Sequence, residues 1–188
     1  MSRDDILRAA AQIFQEKGYH AASMRDIAEA VELKKGSLYH HVTSKQEILL
    51  ALLDEALDLI IERLQAVEAK DLSPSQKLRQ AMQAYLSFLA ENRSLSSVLI
   101  LEHKSLEPEF IDLHIPRRDR IEQIWREIIE EGISSGELYS HQPALTTKAL
   151  LGVLNWTITW YREDGPLSPN EIADHFADLF IQGLLIRE

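Results

Sequence analysis

Apolar residues recur along the chain at intervals of three and four positions, which is the spacing of one face of a helix. In the first such segment, residues 4–17, Ile6 and Phe14 lie on one face. Gly18 follows as a typical helix-ending residue. The same spacing predicts further helices at 24–30, 35–41, 44–69, 74–92, 94–103, 116–133, 143–162 and from 168 onward. No segment alternates as a strand would, so the chain is predicted to be all-α.

Short polar motifs mark where several of these helices begin. Ser23 with Asp26, and Ser44 with Glu47, match the capping box, in which a Ser and an acid three residues later bind each other's backbone N–H groups. Pro116 is interpreted as the first residue of its helix. A proline is tolerated at that position and disfavoured in a helix interior.

The charge of the chain is negative overall but uneven. The 188 residues carry 20 Lys and Arg against 30 Asp and Glu, a net charge of −10. Residues 1–47 hold seven of each sign, and residues 33–45 hold three Lys and no acid. A local cationic stretch can bind phosphates while an acidic remainder keeps the protein in solution. The overall charge therefore does not exclude nucleic acid as a partner.

Composition also bounds the compartment and the possible chemistry. Cys is absent, which excludes disulfides, thiolate metal sites and cysteine nucleophiles. The N-terminus carries acids where a signal peptide would carry bases, and the longest apolar stretch, 149–161, is too short to cross a bilayer. We therefore expect a cytoplasmic protein with no membrane partner.

Two short helices joined by a tight turn, after one amphipathic helix, match a helix-turn-helix. In the second of them Leu38 would pack inward. The outward side chains can reach phosphates or base edges, and they are Lys35, Ser37, Tyr39 and His40. Taken one at a time, the lysines could be plain surface and Ser23 a plain helix cap. It is the combined pattern that favours DNA binding.

Three motifs in this region together resemble the TetR family of transcriptional regulators. They are Ser23-Met24-Arg25-Asp26-Ile27-Ala28, Lys35-Gly36-Ser37-Leu38-Tyr39-His40-His41 and Ser44-Lys45-Gln46-Glu47. The resemblance implies a DNA-binding domain over residues 1–47 and a ligand-binding and dimerisation domain over 48–188. The residues it implies at the operator are Ser23, Arg25, Lys35, Gly36, Ser37, Tyr39, His40 and Lys45.

The sequence departs from the family pattern at three positions. Glu32 stands where the family usually has the turn glycine, so a non-glycine residue must adopt or reshape that turn. Lys34 replaces a common Ser or Thr and adds a charge that can reach phosphate, which makes it a further candidate DNA contact. Val42 replaces the usual Phe and is a smaller core residue.

Two helices of the second domain are apolar on nearly all sides, whereas a surface helix needs only one apolar stripe. They are the helix at 143–162 and the last helix. Two such helices from each of two copies would form a four-helix interface, so we expect a homodimer. A fully buried pair inside a monomer is the alternative. The expected interface residues are Leu150, Leu154, Ile158, Phe176, Phe180 and Leu184.

The effector site is expected among the middle helices, although aromatic residues at helical spacing are also typical of a plain core. Residues 101–138 resemble the TetR subgroup that senses acyl-CoA thioesters and related lipids. That resemblance implies that Arg117, Arg118 and Arg120 meet CoA phosphates, and the alternative is that they pair with nearby Glu. The candidate effector-binding residues are Tyr85, Phe88, Leu89, Leu99, His103, Arg117, Arg120, Trp125, Ile128 and Trp156.

The predicted function is a regulator, most simply a repressor, that binds a palindromic operator as a dimer and is released by a small hydrophobic or acyl-CoA-like effector. The alternative is a helical-bundle metal-binding protein or enzyme that does not bind DNA. It would use His103, His114 or His175, but no His has a Glu three positions before it and no Gly-rich phosphate loop occurs. We therefore expect no metal, no cofactor and no catalytic residue.

Overall fold

A computed structural model describes residues 2–184 of the chain, and within them it contains helices and no strand. The α-helices are α1 (Arg3–Lys17), α2 (Met24–Ala30), α3 (Lys35–Leu38), α4 (Lys45–Glu68), α5 (Pro74–Glu91), α6 (Arg93–Ser97), α7 (Pro108–Ser134), α8 (Pro143–Trp160) and α9 (Pro169–Leu184). Between α6 and α7 lie a π-helical turn, Val98–Glu102, and a 3-10 turn, His103–Ser105. The all-α prediction is confirmed.

The start predicted for α7 was wrong. The helix begins at Pro108, and Pro116 lies inside it. Pro116 removes one backbone hydrogen bond, the one to the carbonyl of Asp112. Asp112 is exposed to water, which can satisfy that carbonyl, so the helix continues. Pro108 takes the favourable position at the helix start.

The second helix of the predicted helix-turn-helix is shorter than expected. α3 ends at Leu38, and the chain then continues in turns through His41. These turns still curl as a helix would, because His41 N–H donates to the carbonyl of Leu38 (3.0 Å) and His40 N–H to that of Ser37 (3.2 Å). Residues 39–41 therefore extend the outer surface of α3 by one turn.

The chain divides into two compact units. The first contains residues 2–58 and 92–117, so α6, the π turn and the start of α7 fold together with α1–α3. Its core is built from side chains of α1 to α4 that are almost fully buried: Ile6, Phe14, Ile27, Leu38 and Ile48. The assignment of DNA binding to residues 1–47 and of effector binding and dimerisation to 48–188 stays a prediction.

The second unit contains residues 59–91 and 118–184, and in it α5 packs against α8 and α9. Leu78, Phe88 and Trp125 are fully buried in its core. Polar pairs also join its helices. Lys77 pairs with Glu131 (3.0 Å), and Arg79 pairs with Asp174 (3.2 Å). Over residues 2–184, no helix combines the length and the apolar character needed to cross a membrane.

Candidate DNA-binding site and effector domain

The N-terminus of α2 is fixed by the predicted capping box, which is confirmed. Ser23 Oγ accepts a hydrogen bond from Asp26 N–H (3.2 Å), and Asp26 accepts one from Ser23 N–H (2.8 Å). Lys17 Nζ also donates to Asp26 at 2.6 Å. The bonds from Lys17 and Ser23 hold the pKa of Asp26 far below its usual value. Ser23, predicted at the operator, thus already has a capping role.

The second predicted capping box, at the start of α4, forms only in part. Ser44 Oγ accepts from Glu47 N–H (3.0 Å), as expected. The Glu47 carboxylate instead accepts from Thr43, at 2.6 Å from its N–H and 2.7 Å from its hydroxyl. The carboxylate thus binds the backbone N–H one residue before the expected one, that of Thr43 in place of Ser44. The start of α4 is unchanged.

The turn between α2 and α3 is made by a residue that is unusual there. Glu32 has φ of 53° and is the non-glycine residue with positive φ among residues 2–184. This left-handed conformation costs a non-glycine residue about 1–2 kcal/mol. Glu32 therefore adopts the turn that a glycine would make more cheaply.

The surface of α3 and the turn after it is cationic and open. Lys34, Lys35, Gly36, Tyr39 and His40 are exposed, with 43% of Tyr39 accessible. A Cβ added to Gly36 would meet no atom within 4 Å, so nothing in the chain itself requires glycine there. Ser37 is half-buried and Leu38 fully buried. This face can supply ammonium, phenol and imidazole groups to phosphates and base edges.

Besides Ser23, two more of the predicted DNA contacts already have partners within the chain. Lys45 Nζ donates to the carbonyls of Tyr19 and Ala22, both at 2.8 Å, and lies 4.2 Å from the centre of the Tyr19 ring. Burial lowers the pKa of Lys45, and the nearby Glu102 carboxylate partly offsets this. Arg25 donates to Glu29 at 2.7 Å and stays exposed. Lys45 is therefore committed to the fold, whereas Arg25 can still turn to a phosphate.

The core of the second unit holds several of the candidate effector-binding residues. Tyr85, Phe88, Leu89, Trp125 and Ile128 are all buried there. The Tyr85 hydroxyl donates to Asn155 Oδ1 at 2.7 Å, and the Tyr85 ring meets the Trp125 ring edge-on at 5.9 Å. Burial raises the pKa of Tyr85, so its hydroxyl stays protonated. The Trp125 Nε1–H is buried and has no hydrogen-bond partner among the described residues.

The other candidate effector-binding residues lie elsewhere. Leu99, His103 and Arg117 belong to the first unit, and Trp156 is 66% exposed, so it is a surface residue and not a pocket wall. Burial lowers the pKa of His103, whose Nδ1–H donates to the Ile100 carbonyl at 3.1 Å.

Each of the three arginines that were expected to bind CoA phosphates lies beside an acidic side chain. Arg117 pairs with Asp54 and Asp58, at 3.0 Å each. Arg120 pairs with Glu127 (3.1 Å), and Arg118 lies 3.5 Å from Asp119. These pairs favour the ion-pair alternative. Of these acidic partners only Glu127 is a nearby Glu, and the others are Asp residues.

The outer surface of α8 and α9 is strongly apolar. Trp156 and Leu179 are 66% and 61% exposed, and Val153 and Trp160 are also open to solvent. A groove on this surface is lined by Thr146, Ala149, Leu179, Phe180 and Gly183.

The predicted interface residues divide between this surface and the core. Leu150 and Leu154 are fully buried within the protomer, so they support the surface from beneath and have no area to offer a partner. Ile158, Phe176 and Phe180 are half-buried. The side chain of Leu184 lies outside the described residues.

The histidines considered as metal ligands are not gathered together. His114 is buried and its Nδ1 lies 3.0 Å from Asp54 Oδ1, while His103 is occupied as described above. Among residues 2–184 no group of three or more His, Asp or Glu side chains is arranged to hold a metal ion.

Comparison with known proteins accounts for almost the whole chain. Residues 6–52 match the bacterial regulatory proteins of the tetR family, and residues 71–184 match the tetracyclin repressor-like C-terminal domain. The chain belongs to the TetR family. The helix-turn-helix at α2–α3 is therefore the DNA-binding element of a TetR-family regulator, and the resemblance inferred from its motifs is confirmed.

Several TetR-family relatives are similar over nearly their full length. The HTH-type transcriptional repressor KstR2 of Mycolicibacterium smegmatis is 29% identical over 97% of this chain and 90% of its own. The structure of PfmR from Thermus thermophilus is 37% identical, with a TM-score of 0.88 over 96% of this chain and 99% of that one. AibR, solved in complex with isovaleryl coenzyme A and operator DNA, is 26% identical, with a TM-score of 0.87 over 94% and 96%.

Sequence reasoning missed several residues of this TetR-family chain. Trp160, Val153 and Leu179 form the apolar surface, and the spacing of Trp156 and Trp160 by one helical turn was the available signal. Glu102 was not predicted to have a role. It accepts a hydrogen bond from Tyr19 N–H, 83 positions away, at 3.2 Å. A contact between residues so far apart in sequence cannot be predicted from a local pattern.

Proposed function

We propose that this protein is a ligand-responsive transcriptional repressor that binds a palindromic operator as a homodimer. A small hydrophobic or acyl-CoA-like effector entering the second unit would release it. The observation that carries the proposal is the exposed face of Lys34, Lys35, Tyr39 and His40, which holds no acid. Such a protein works in the cytoplasm, where operator DNA is, and its role involves no catalytic step, metal or cofactor.

DNA binding would divide between two kinds of contact. Lys34 and Lys35 neutralise phosphates and hold the protein on any duplex. Tyr39 and His40, with Ser37 beside them, lie where side chains can reach base edges in the major groove. Gly36 leaves the surface open at the point where the DNA backbone would approach. Ser23 and Arg25, at the start of α2, would add phosphate contacts.

The homodimer would form through the apolar surface of α8 and α9. Large exposed apolar areas on a protein surface typically mark sites of interaction with another protein. Two copies would set two α3 helices about 34 Å apart, one turn of the double helix, which suits a palindromic site. Val153, Trp156, Trp160 and Leu179 are the side chains that would meet the partner, with Ile158, Phe176 and Phe180 contributing their exposed parts.

The effector site would lie among Tyr85, Phe88, Trp125 and Ile128. The surrounding side chains are apolar, and the unpartnered Trp125 N–H offers a donor to a carbonyl oxygen. KstR2 is a repressor and AibR has been solved with an acyl-CoA and operator DNA, which supports an acyl-CoA or related lipid as the effector class. Leu89 would contribute to the same wall. That Leu99, His103, Arg117 and Arg120 also contact the effector stays a prediction from the sequence.

Binding to the promoter upstream of the protein's own coding region tests this function. Fluorescence anisotropy would compare that duplex with a random-sequence duplex of equal length, with and without isovaleryl-CoA and palmitoyl-CoA. We expect a clear preference for the promoter duplex and a decrease in that affinity of about 5- to 150-fold with an active acyl-CoA, the usual range of allosteric coupling. Equal binding to both duplexes would contradict DNA recognition. Preference without any acyl-CoA effect would contradict the effector class alone.

A further inference from the structure

The corner between α1 and α2, residues 18–22, decides how the DNA-reading helices leave α1. Gly18 ends α1 with φ of 78°, and its N–H donates to the Phe14 carbonyl at 2.9 Å. Because this φ favours glycine, the direction of the chain is set at this residue. Tyr19 is buried with its ring against Phe14, and Ser23 then begins α2. The corner is therefore the connection between α1 and the helices that carry the DNA-reading side chains.

Lys45 holds the carbonyl side of the corner. Its ammonium bridges the carbonyls of Tyr19 and Ala22, at 2.8 Å each, and so closes the turn between them. The ammonium also lies over the Tyr19 ring, which adds a cation–π contact. Since Lys45 is the first residue of α4, the corner is tied to the start of that helix.

Glu102 holds the N–H side of the same peptide segment. Its Oε1 accepts from Tyr19 N–H at 3.2 Å, and its Oε2 accepts from the Ser105 hydroxyl at 3.3 Å. Glu102 is the last residue of the π turn. A carboxylate acceptor makes a stronger hydrogen bond than a neutral one. Glu102 therefore binds the Tyr19 N–H, while Lys45 binds the Tyr19 carbonyl.

Three further hydrogen bonds tie the segment 102–107 to the DNA-binding region. His20 Nε2 lies 3.2 Å from the Ser105 hydroxyl. Gln46 binds the segment at both ends of its amide: Nε2 donates to the Ser105 carbonyl (2.9 Å), and Oε1 accepts from Glu107 N–H (3.1 Å). The position of the segment and the position of the corner are therefore linked.

The π turn fixes the direction in which Glu102 leaves its helix. A π turn holds one residue more per hydrogen-bonded ring than an α turn. Because neighbouring residues on a helix point about 100° apart, an α-helical turn in place of the π turn would carry the Glu102 side chain away from Tyr19.

We infer that Glu102 and Lys45 are positioning residues for operator recognition, because they hold the corner that joins α1 to the DNA-reading helices. The inference rests on the proposed DNA binding and adds two residues that act on it from within the fold. Glu102 touches no DNA in this account. It acts by holding the Tyr19 peptide, which orients the helices that carry Lys35, Tyr39 and His40.

Binding of full-length variants to two duplexes tests the inference. One duplex is selected by the wild-type chain from a randomised pool, and the other is a random sequence of equal length. Glu102→Ala should weaken binding to the selected duplex about 10-fold, within the usual range of coupling between sites, and change binding to the random duplex less than about 2-fold. Glu102→Gln keeps an acceptor for Tyr19 N–H and should restore most of the loss. Glu109→Ala, which removes an exposed acid from the same unit, should have no effect.

Each other result contradicts the inference in a distinct way. Equal behaviour of Glu102→Ala and Glu109→Ala would mean that Glu102 does not position the DNA-reading helices. An equal loss on both duplexes, together with a lowered melting temperature and no recovery in Glu102→Gln, would make the contact merely structural. Failure of the wild-type chain to select any duplex would instead refute the proposed function, and the inference with it.

Discussion

Lys35 and Lys45 belong to one cationic stretch of the sequence but have different surroundings in the structure. Lys35 is exposed at the start of α3, whereas the Lys45 ammonium is bound to the carbonyls of Tyr19 and Ala22. The sequence could predict that the stretch is cationic. It could not predict which ammonium would be used inside the fold, because the two carbonyls lie 26 and 23 positions away from Lys45.

Replacing each lysine with alanine should therefore change a different property. Lys35→Ala should lower the slope of log affinity against log salt by about 0.9, because one phosphate contact is lost, and leave stability unchanged. Lys45→Ala should leave that slope nearly unchanged and reduce the free energy of unfolding by about 1–2 kcal/mol, allowing for partial exposure of its charged hydrogen bonds. Anisotropy titrations at several salt concentrations and urea unfolding would measure both.

The opposite result for Lys45→Ala would indicate that Lys45 binds a DNA phosphate. If Lys45→Ala reduced the salt slope and left the unfolding free energy unchanged, its bonds to the corner would have no energetic weight. The positioning role inferred for it would then be wrong.

Asp26 gives the N-terminus of α2 a dependence on pH. Its bonds from Lys17 and Ser23 hold its pKa well below 3.8 in the folded chain. A carboxyl whose pKa is lowered by folding stabilises the folded state above its unfolded pKa, and that stabilisation is lost as the pH falls through the folded value. Asp26→Asn should therefore lower the melting temperature at pH 7, and the difference from wild type should shrink below about pH 4.

Thermal unfolding followed by circular dichroism between pH 7 and pH 3 would check this dependence. Asp71→Asn is the matched control, because Asp71 is an exposed acid in the loop before α5. A difference between Asp26→Asn and wild type that stayed constant across this range would show that the capping carboxylate does not carry the effect.

At the scale of whole helices, periodicity predicted where helices lie much better than how they begin and end. The capping box at Ser23 was predictable because all its atoms come from four consecutive residues. Pro116 was misread because a proline at a helix start and one tolerated on an exposed interior turn look alike in sequence. The π turn at Val98–Glu102 was not predictable, since residues 94–103 have the spacing of an ordinary helix and that spacing does not distinguish a π turn from an α turn.

Helix α8 shows a related limit. Its sequence is apolar on nearly all sides, which indicates two buried faces in the proposed dimer but does not say which face meets which neighbour. In the structure Leu150 and Leu154 face the core of the unit, and Val153, Trp156 and Trp160 face outward. The interface predicted from sequence therefore mixed residues from both faces.

Trp156→Ser should weaken the proposed homodimer. It replaces a side chain that is 66% exposed and would bury large apolar area against a partner. Sedimentation should show wild type at about 43 kDa, twice the 21.5 kDa chain, and the variant shifted toward the monomer at micromolar concentration. Leu113→Ser, a change at a 58% exposed leucine in the first unit, is the matched control.

Either of two results would oppose this account of α8 and α9. A wild-type chain that sediments as a monomer would remove the homodimer itself. A shift of equal size in Leu113→Ser would place the interface elsewhere on the chain.

At the scale of the whole molecule, family membership was predictable from sequence and the grouping of segments was not. The motifs between Ser23 and Glu47 were sufficient to identify the TetR family, because they are local and occur together. That residues 92–117 fold in the same compact unit as α1–α3 depends on contacts such as Tyr19 with Glu102 and Gln46 with Ser105. Those pairs are separated by 83 and 59 positions, beyond any periodic signal.

The surface of α3 and the turn after it is proposed to read DNA sequence. The ratio of affinities for a wild-type-selected duplex and a random duplex, measured for the double variant Tyr39→Ala/His40→Ala, tests this proposal. The matched control is Tyr139→Ala/His141→Ala, which removes another exposed Tyr and His pair in the second unit. The ratio should fall by about 10-fold or more in the first variant, since each lost base contact is worth about 1–3 kcal/mol, while the control and binding to random DNA stay at wild-type values. An unchanged ratio in Tyr39→Ala/His40→Ala would contradict the account.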